Sequence, residues 1–267
     1  MNKALIAIIL SAVYGYAVES VGSRELSVGL STVKIDYSER STRGVLLDDE
    51  KSDFFGKTGG ARFEYKAGLT TDKSGTLSIG ARYDVSRGDS DYTGSLIGSA
   101  QGYGSYKSTT LNTIHDLSLW LDDTRRYELL NFGLYAGLGY RFWSRELSSS
   151  QKEDYKWPYW KVGAHFDADL TSNLNIGFGG EYKGAFSPKM KAYGSNSPVS
   201  ATFNLGKTNG YSFFVPVRYK ITKNIFSKLE YTYDYWKIGY SNEISGFYEP
   251  DSKTKNQILT LSVGYKW

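Results

Sequence analysis

The chain of 267 residues has no cysteine. That excludes disulfide staples, thiolate metal sites, cysteine nucleophiles and a lipid-modified cysteine anchor. Two histidines leave little material for an imidazole metal centre or for repeated acid–base chemistry. Five prolines are too few for a proline-rich linker and leave extended pairing unobstructed. After Val13 no segment is apolar for long enough to cross a bilayer as a helix. Lys+Arg 32 against Asp+Glu 28, a formal net charge of +4, is too small an excess for a nucleic-acid surface. The sequence also holds no phosphate-binding glycine loop and no Ser-His-Asp arrangement.

What is present is aromatic, glycine-rich and strand-forming: 29 Gly, 23 Tyr and 6 Trp. The mean hydropathy of −0.42 does not exclude a membrane protein, because only alternate residues of a transmembrane strand meet lipid. At the start, Lys3 precedes an apolar run from Ala4 to Val13, and Gly15-Tyr16-Ala17 offers small residues at cleavage spacing. This reads as a secretory signal peptide over residues 1–17, followed by a single domain over 18–267. A short membrane anchor is the alternative, disfavoured because the run is too short to span a bilayer.

At the other end, Leu259, Leu261, Val263, Tyr265 and Trp267 alternate with Thr260, Ser262, Gly264 and Lys266. This period of two runs to the last residue. It resembles the closing strand of bacterial outer-membrane β-barrels, whose final aromatic residue is read by the assembly machinery. The resemblance implies an all-β, antiparallel transmembrane barrel in a Gram-negative outer membrane, with Trp267 as its assembly signal.

Alternation divides the chain into ten expected strands: 25–38, 60–70, 75–88, 106–121, 128–145, 156–170, 173–186, 208–221, 224–241 and 255–267. Tight turns are expected at 70–75, 122–126, 171–173 and 221–224. Long polar loops are expected at 38–59, 88–105, 145–155, 185–207 and 242–254. Short turns belong in the periplasm and long loops outside. The first strand breaks phase between Leu30 and Val33, which reads as a bulge.

Parity assigns the faces. Leu229, Tyr231, Tyr233 and Tyr235 meet lipid, as do Phe132, Leu134, Leu138 and Tyr140. The lumen receives Arg62, Glu64, Arg82, Asp84, Arg141, Lys161, His165, Asp167, Glu181, Arg218, Lys228, Glu230 and Asp234. About ten strands enclose a narrow interior, so these charges must pair or stay wet. A salt-bridged plug is the reading; a narrow ion path is the alternative. Trp157, Tyr159, Trp160, Tyr235 and Trp236 near the outer ends, with Trp267 at the inner end, are assigned to interfacial girdles.

Asn131-Phe132-Gly133-Leu134-Tyr135-Ala136-Gly137 and Trp157-Pro158-Tyr159-Trp160-Lys161-Val162-Gly163 resemble strands of the omptin family, ten-stranded surface proteases. The resemblance implies an aspartate pair opposite an Asp-His pair at the outer rim. Asp89-Ser90-Asp91 matches the first pair, with Tyr92 where the family has tryptophan. The loop expected to carry the second pair, 184–210, contains no Asp, Glu or His. His165 with Asp167 is nearest in type but lies deep in the lumen, and His115 beside Asp116 lies low on the fourth strand. Asp89 and Asp91 therefore read as a solvated loop.

Two smaller motifs remain. Arg87-Gly88-Asp89 is a tripeptide some adhesins use, here without context. Asp48-Asp49-Glu50 with Asp53 forms an acidic cluster of a kind that can hold a divalent cation, but it lacks calcium-loop spacing and reads as a solvated acidic face. The sequence thus predicts a monomeric, non-enzymatic surface barrel in contact with outer-membrane lipid and lipopolysaccharide. Its loops would meet an extracellular ligand; it would bind no nucleic acid and need no metal or cofactor. A porin-like channel and an omptin-type protease are the alternatives.

Overall fold

The computed structural model describes residues 22–95, 102–148, 151–194 and 200–267. The expected signal peptide lies outside the described residues. Every element described is a strand: β1 (Arg24–Lys34), β2 (Asp36–Arg40), β3 (Leu46–Lys51), β4 (Gly59–Thr71), β5 (Gly75–Gly94), β6 (Tyr106–Tyr127) and β7 (Leu130–Ser148). There follow β8 (Gln151–Asp169), β9 (Leu174–Ala185), β10 (Lys189–Gly194), β11 (Ala201–Asn204), β12 (Asn209–Lys220), β13 (Ile225–Ile238) and β14 (Asp251–Lys266).

Ten of these close a ring of antiparallel pairs in the order β1-β4-β5-β6-β7-β8-β9-β12-β13-β14, and β14 returns to β1. Closure leaves no sheet edge whose backbone groups hydrocarbon would have to satisfy. Outward side chains form an exposed apolar band that includes Leu26, Val28 and Leu30 on β1, Leu134 and Leu138 on β7, Phe178 on β9, and Leu261 and Val263 on β14. The alternate residues, Arg62, Arg141, Lys161, Glu230 and Asp234 among them, are buried inside. A strand needs only about ten residues to cross a bilayer. β5 to β8 run for 19 to 22 residues, so their outer halves rise past the apolar band as a crown.

The crown has its own wall. β2 pairs β14, β3 pairs β2, and β5 pairs β3, so this hairpin fills the gap above β1 and β4. β10 adds to the outer half of β8, and β11 to β10.

Three sequence expectations are corrected here. The first strand carries no bulge where its phase breaks. Its register with β14 runs without a shift from Glu25↔Lys266 to Lys34↔Gln257 and resumes in β2 at Tyr37↔Thr254. What changes is the environment: Leu30 points to lipid, whereas Val33, Ile35 and Tyr37 point into an apolar interior. The turn after β6 is not at 122–126 but at Glu128-Leu129, with Glu128 at φ 42°. Asp122 is a lumen residue, paired to Lys66 and His165. Finally, much of the sequence read as long polar loop is strand. β2, β3, β10, β11 and the outer ends of β5, β7 and β8 all fall within it, because their charged residues turn inward to each other instead of to water.

Candidate functional site

The lower lumen is a ladder of ion pairs. Arg62 donates to Asp84 at 2.6 Å and to Glu230. Glu64 accepts from Arg82 Nε at 2.8 Å and from Lys228 Nζ at 2.9 Å. Arg141 bridges Asp116 (3.1 Å) and Asp234 (3.2 Å), and Lys183 also donates to Asp234. Lys161 lies 3.5 Å from Glu181, and Arg218 donates to Glu25 at 2.9 Å. At the base His165 sits between Asp167 (2.7 Å) and Asp122 (3.2 Å), and Lys66 also reaches Asp122 (2.7 Å). Sequence reading had not assigned Glu25, Asp116 and Asp122 to the lumen. Parity on β6, where Ser118 and Trp120 share their face with Asp116 and Asp122, carries the signal for two of them.

These side chains line a cavity of about 810 Å³ that begins among the residues of the short turns, Thr222, Lys223 and Asn224, and extends up to Asp116, Arg141 and Asp234. There it meets a layer of rings. Tyr159 donates to Asp116 at 2.5 Å. Trp236 lies against Tyr159 and Trp157, with ring centroids 5.4 and 5.2 Å away. Above them Trp143 stacks on Tyr155 (5.1 Å) and meets the edge of Tyr37 (5.3 Å). Ile114, Met190, Phe203, Leu205 and Ile238 complete this buried cluster.

Trp157, Tyr159 and Trp236 are therefore not girdle residues. They share parity with Lys161 and Asp234, and the strand's period of two turns them inward. Trp160 and Tyr235 lie on the outer face, Trp160 against Tyr182 at 5.6 Å and Tyr235 stacked on Tyr211 at 4.7 Å. Trp267 is half exposed at the inner end, and its backbone pairs with Arg24.

The rings carry a charged chamber on top, above the apolar band. Arg145, fully buried, donates from Nε (3.1 Å) and Nη2 (2.6 Å) to one oxygen of Glu50, and from Nη1 to Glu39 (3.1 Å) and Glu153 (2.8 Å). Its guanidinium carbon stands 3.9 Å from the centre of the Tyr37 ring. Tyr37 donates to Glu39, and Tyr155 to Glu249. Ser90 and Asn112 donate to the second oxygen of Glu50 at 2.9 and 3.2 Å. Asp48 accepts from Tyr92 at 3.2 Å. Asp48, Asp49 and Glu50 are buried, so this run is not a solvated face. Burial, then the neighbouring Glu39, push the Asp48 carboxyl up to about 9. Burial raises Glu153 to about 7 and holds Glu249 well above the usual carboxylate range.

Asp89 and Asp91 do not enter this chamber. They lie in β5, not in a loop, and Asp89 is half-buried while Asp91 is exposed. Ser90 between them is the inward residue. His115 is midway along β6 on the outer face, 2.7 Å from the Tyr83 hydroxyl. His165 is at the opposite end of the barrel. The Arg87-Gly88-Asp89 tripeptide is likewise strand, with Gly88 packed so tightly that a Cβ would lie 2.1 Å from the Lys57 carbonyl oxygen.

No family model and no curated protein sequence matches the chain. Among solved structures it is similar to the outer membrane protease OmpT of Escherichia coli, at 14% identity and a TM-score of 0.60, over 93% of this chain and 97% of that one. OprG of Pseudomonas aeruginosa (12% identity, TM-score 0.38, 93% of this chain and 97% of that one) is also matched. So is Ail of Yersinia pestis, in complex with the heparin analogue sucrose octasulfate (10%, 0.37, 92% and 99%). The chain thus has the fold of the outer-membrane β-barrels, in the ten-stranded form resembling the omptins.

Proposed function

We propose that this protein is a non-conducting barrel of the Gram-negative outer membrane that holds a rigid crown at the cell surface, and that the crown, through contact with an extracellular ligand or neighbouring surface, is its working part. The observation that carries the reading is the layer of Tyr159, Trp157 and Trp236 lying across the lumen directly above the Arg141–Asp234–Lys183 cluster. Ion-paired charge below and packed rings above leave an interior suited to rigidity. A solute path would need an opening through both.

The protease alternative finds less support. Its aspartates stand on the outer face of β5, and neither histidine is beside them. A general base must reach the proton it abstracts.

Conductance of the refolded protein in a planar lipid bilayer tests the proposal. Protein shown to be folded should give no discrete steps. Reproducible unitary steps would overturn it in favour of a channel.

A further inference from the structure

The crown chamber contains more acidic side chains than its own cation can answer. Among the described residues, five buried acidic side chains, those of Glu39, Asp48, Glu50, Glu153 and Glu249, face one guanidinium, that of Arg145. Arg145 spends two of its three nitrogens on Glu50. Glu249 has its backbone N–H on Ser241 and its carboxylate on a neutral tyrosine hydroxyl. Uncompensated buried carboxylates are costly, and each must hold a proton or share a counter-ion.

The geometry supplies a place for one. Glu39 of β2, Glu153 of β8 and Glu249, just before β14, each bring a carboxylate oxygen within 4.8 Å of the others. Asp48 stands directly opposite Glu39 in the β2–β3 ladder, on the same inner face. Like charges so placed repel. Asp48 is 8% exposed, and its Oδ1 is buried without a hydrogen-bond partner, although Oδ2 is taken by Tyr92. An orphaned carboxyl oxygen opposite Glu39, one of three converging carboxylates, is an unfilled ligand position.

We propose that Glu39, Glu153 and Glu249, with Asp48, bind a hard divalent cation of the Ca2+ class. All four offer oxygen only, which selects hard cations over zinc or copper. They arrive from four separate chain segments, which suits the adaptable coordination of Ca2+ better than the strict octahedron of Mg2+. The ion would tie β2, β3, β8 and the segment before β14 into one crown. The site is independent of whatever the outer surface contacts.

Terbium luminescence tests this on the full-length protein folded in detergent and stripped with chelator. The Tyr155 hydroxyl donates to Glu249 and lies 3.2 Å from Glu153, and its ring stacks on Trp143, so excitation of these rings should sensitise a Tb3+ ion held by the carboxylates. The expected result is saturable emission displaced by Ca2+. Glu153→Gln and Glu249→Gln should each weaken binding by about tenfold or more, since ligand charge sets affinity in such sites. Glu243→Gln, at an exposed acid nearby, should bind as the unaltered protein does. Emission from folded protein that never saturates, that Ca2+ does not displace, or that both glutamine variants retain would overturn the proposal. Should a glutamine variant not fold, saturation and displacement in the unaltered protein still decide.

Discussion

Arg145 of β7 grips a single oxygen of Glu50 of β3 with two nitrogens, at 3.1 and 2.6 Å, and neither residue has any solvent exposure. The pair joins strands that are not neighbours in the wall, with β5 and β6 between them. Removing the guanidinium while leaving its carboxylates buried should be far worse than removing both. Arg145→Met should destabilise the crown by about 3–5 kcal/mol. Arg145→Lys should recover little, because an ammonium cannot fork onto Glu50 while lying over the Tyr37 ring. Limited proteolysis checks both: new cleavage should appear in the crown while the membrane band stays intact. Wild-type resistance in Arg145→Met would refute the keystone role.

Trp236 touches both halves of the seal. Its ring is 4.8 Å from Lys183 Nζ and 5.8 Å from the Arg141 guanidinium carbon, and it packs on Trp157 and Tyr159. Trp236→Ala should therefore cost about 3–5 kcal/mol and leave a void in line with the lower cavity. Bilayer recordings of the folded variant should show intermittent conductance that the unaltered protein lacks. Silence from the variant would mean that the ion-paired layer seals the barrel unaided.

Gly139 of β7 exists for Tyr159. A Cβ there would lie 2.2 Å from the tyrosine ring, and the ring's hydroxyl is already committed to Asp116. Gly139→Ala should force the ring aside and cost about 1–3 kcal/mol, the usual penalty of overpacking. Gly139→Ala paired with Tyr159→Phe should cost less than the sum of the two, since both act on one contact. Urea unfolding followed by tryptophan fluorescence measures the coupling; strict additivity would separate the two residues.

Legibility in the sequence followed the solvent on each side of the strand. Where one face meets lipid and the other meets charge, as at Leu229–Glu230 or Leu138–Arg141, alternation gives both the strand and its faces. In the crown, water replaces lipid outside and rings replace charge inside. Apolar residues then change face, and Val33, Ile35 and Tyr37 continue a strand whose apolar alternation breaks after Leu30. The same reversal hid Trp157 and Trp236, whose parity with Lys161 and Asp234 was a better guide than their aromatic character. The acidic chamber was not legible, because Glu39, Asp48, Glu153 and Glu249 meet only through pairing between distant segments. Glu39, Glu153 and Glu249 are each one polar residue, and Asp48 belongs to a short acidic run, in what composition presents as separate loops.

The chamber also sets a pH dependence for cation-free protein. Asp48, held near 9 by burial and by Glu39, and Glu153, held near 7 by burial, both carry folded values above their ordinary 3.8 and 4.5. Folded protein therefore keeps protons that unfolded chain has released. Stability is fully present below the unfolded values and is lost as pH rises through the folded ones. The groups facing these acids are Glu39 and Tyr37 of β2, Glu50 of β3, Tyr92 of β5, Arg145 of β7, Tyr155 of β8 and Glu249. The acids among them oppose deprotonation, whereas Arg145 favours it by its charge and Tyr155 favours it at Glu153 and Glu249 by its hydrogen bond. In chelator, the crown's unfolding midpoint should fall steadily between about pH 5 and pH 9, and Asp48→Asn should flatten the upper part of that decline. A midpoint that stays flat or rises across this window would show that the carboxylates are already ionised and compensated in the folded crown without a cation.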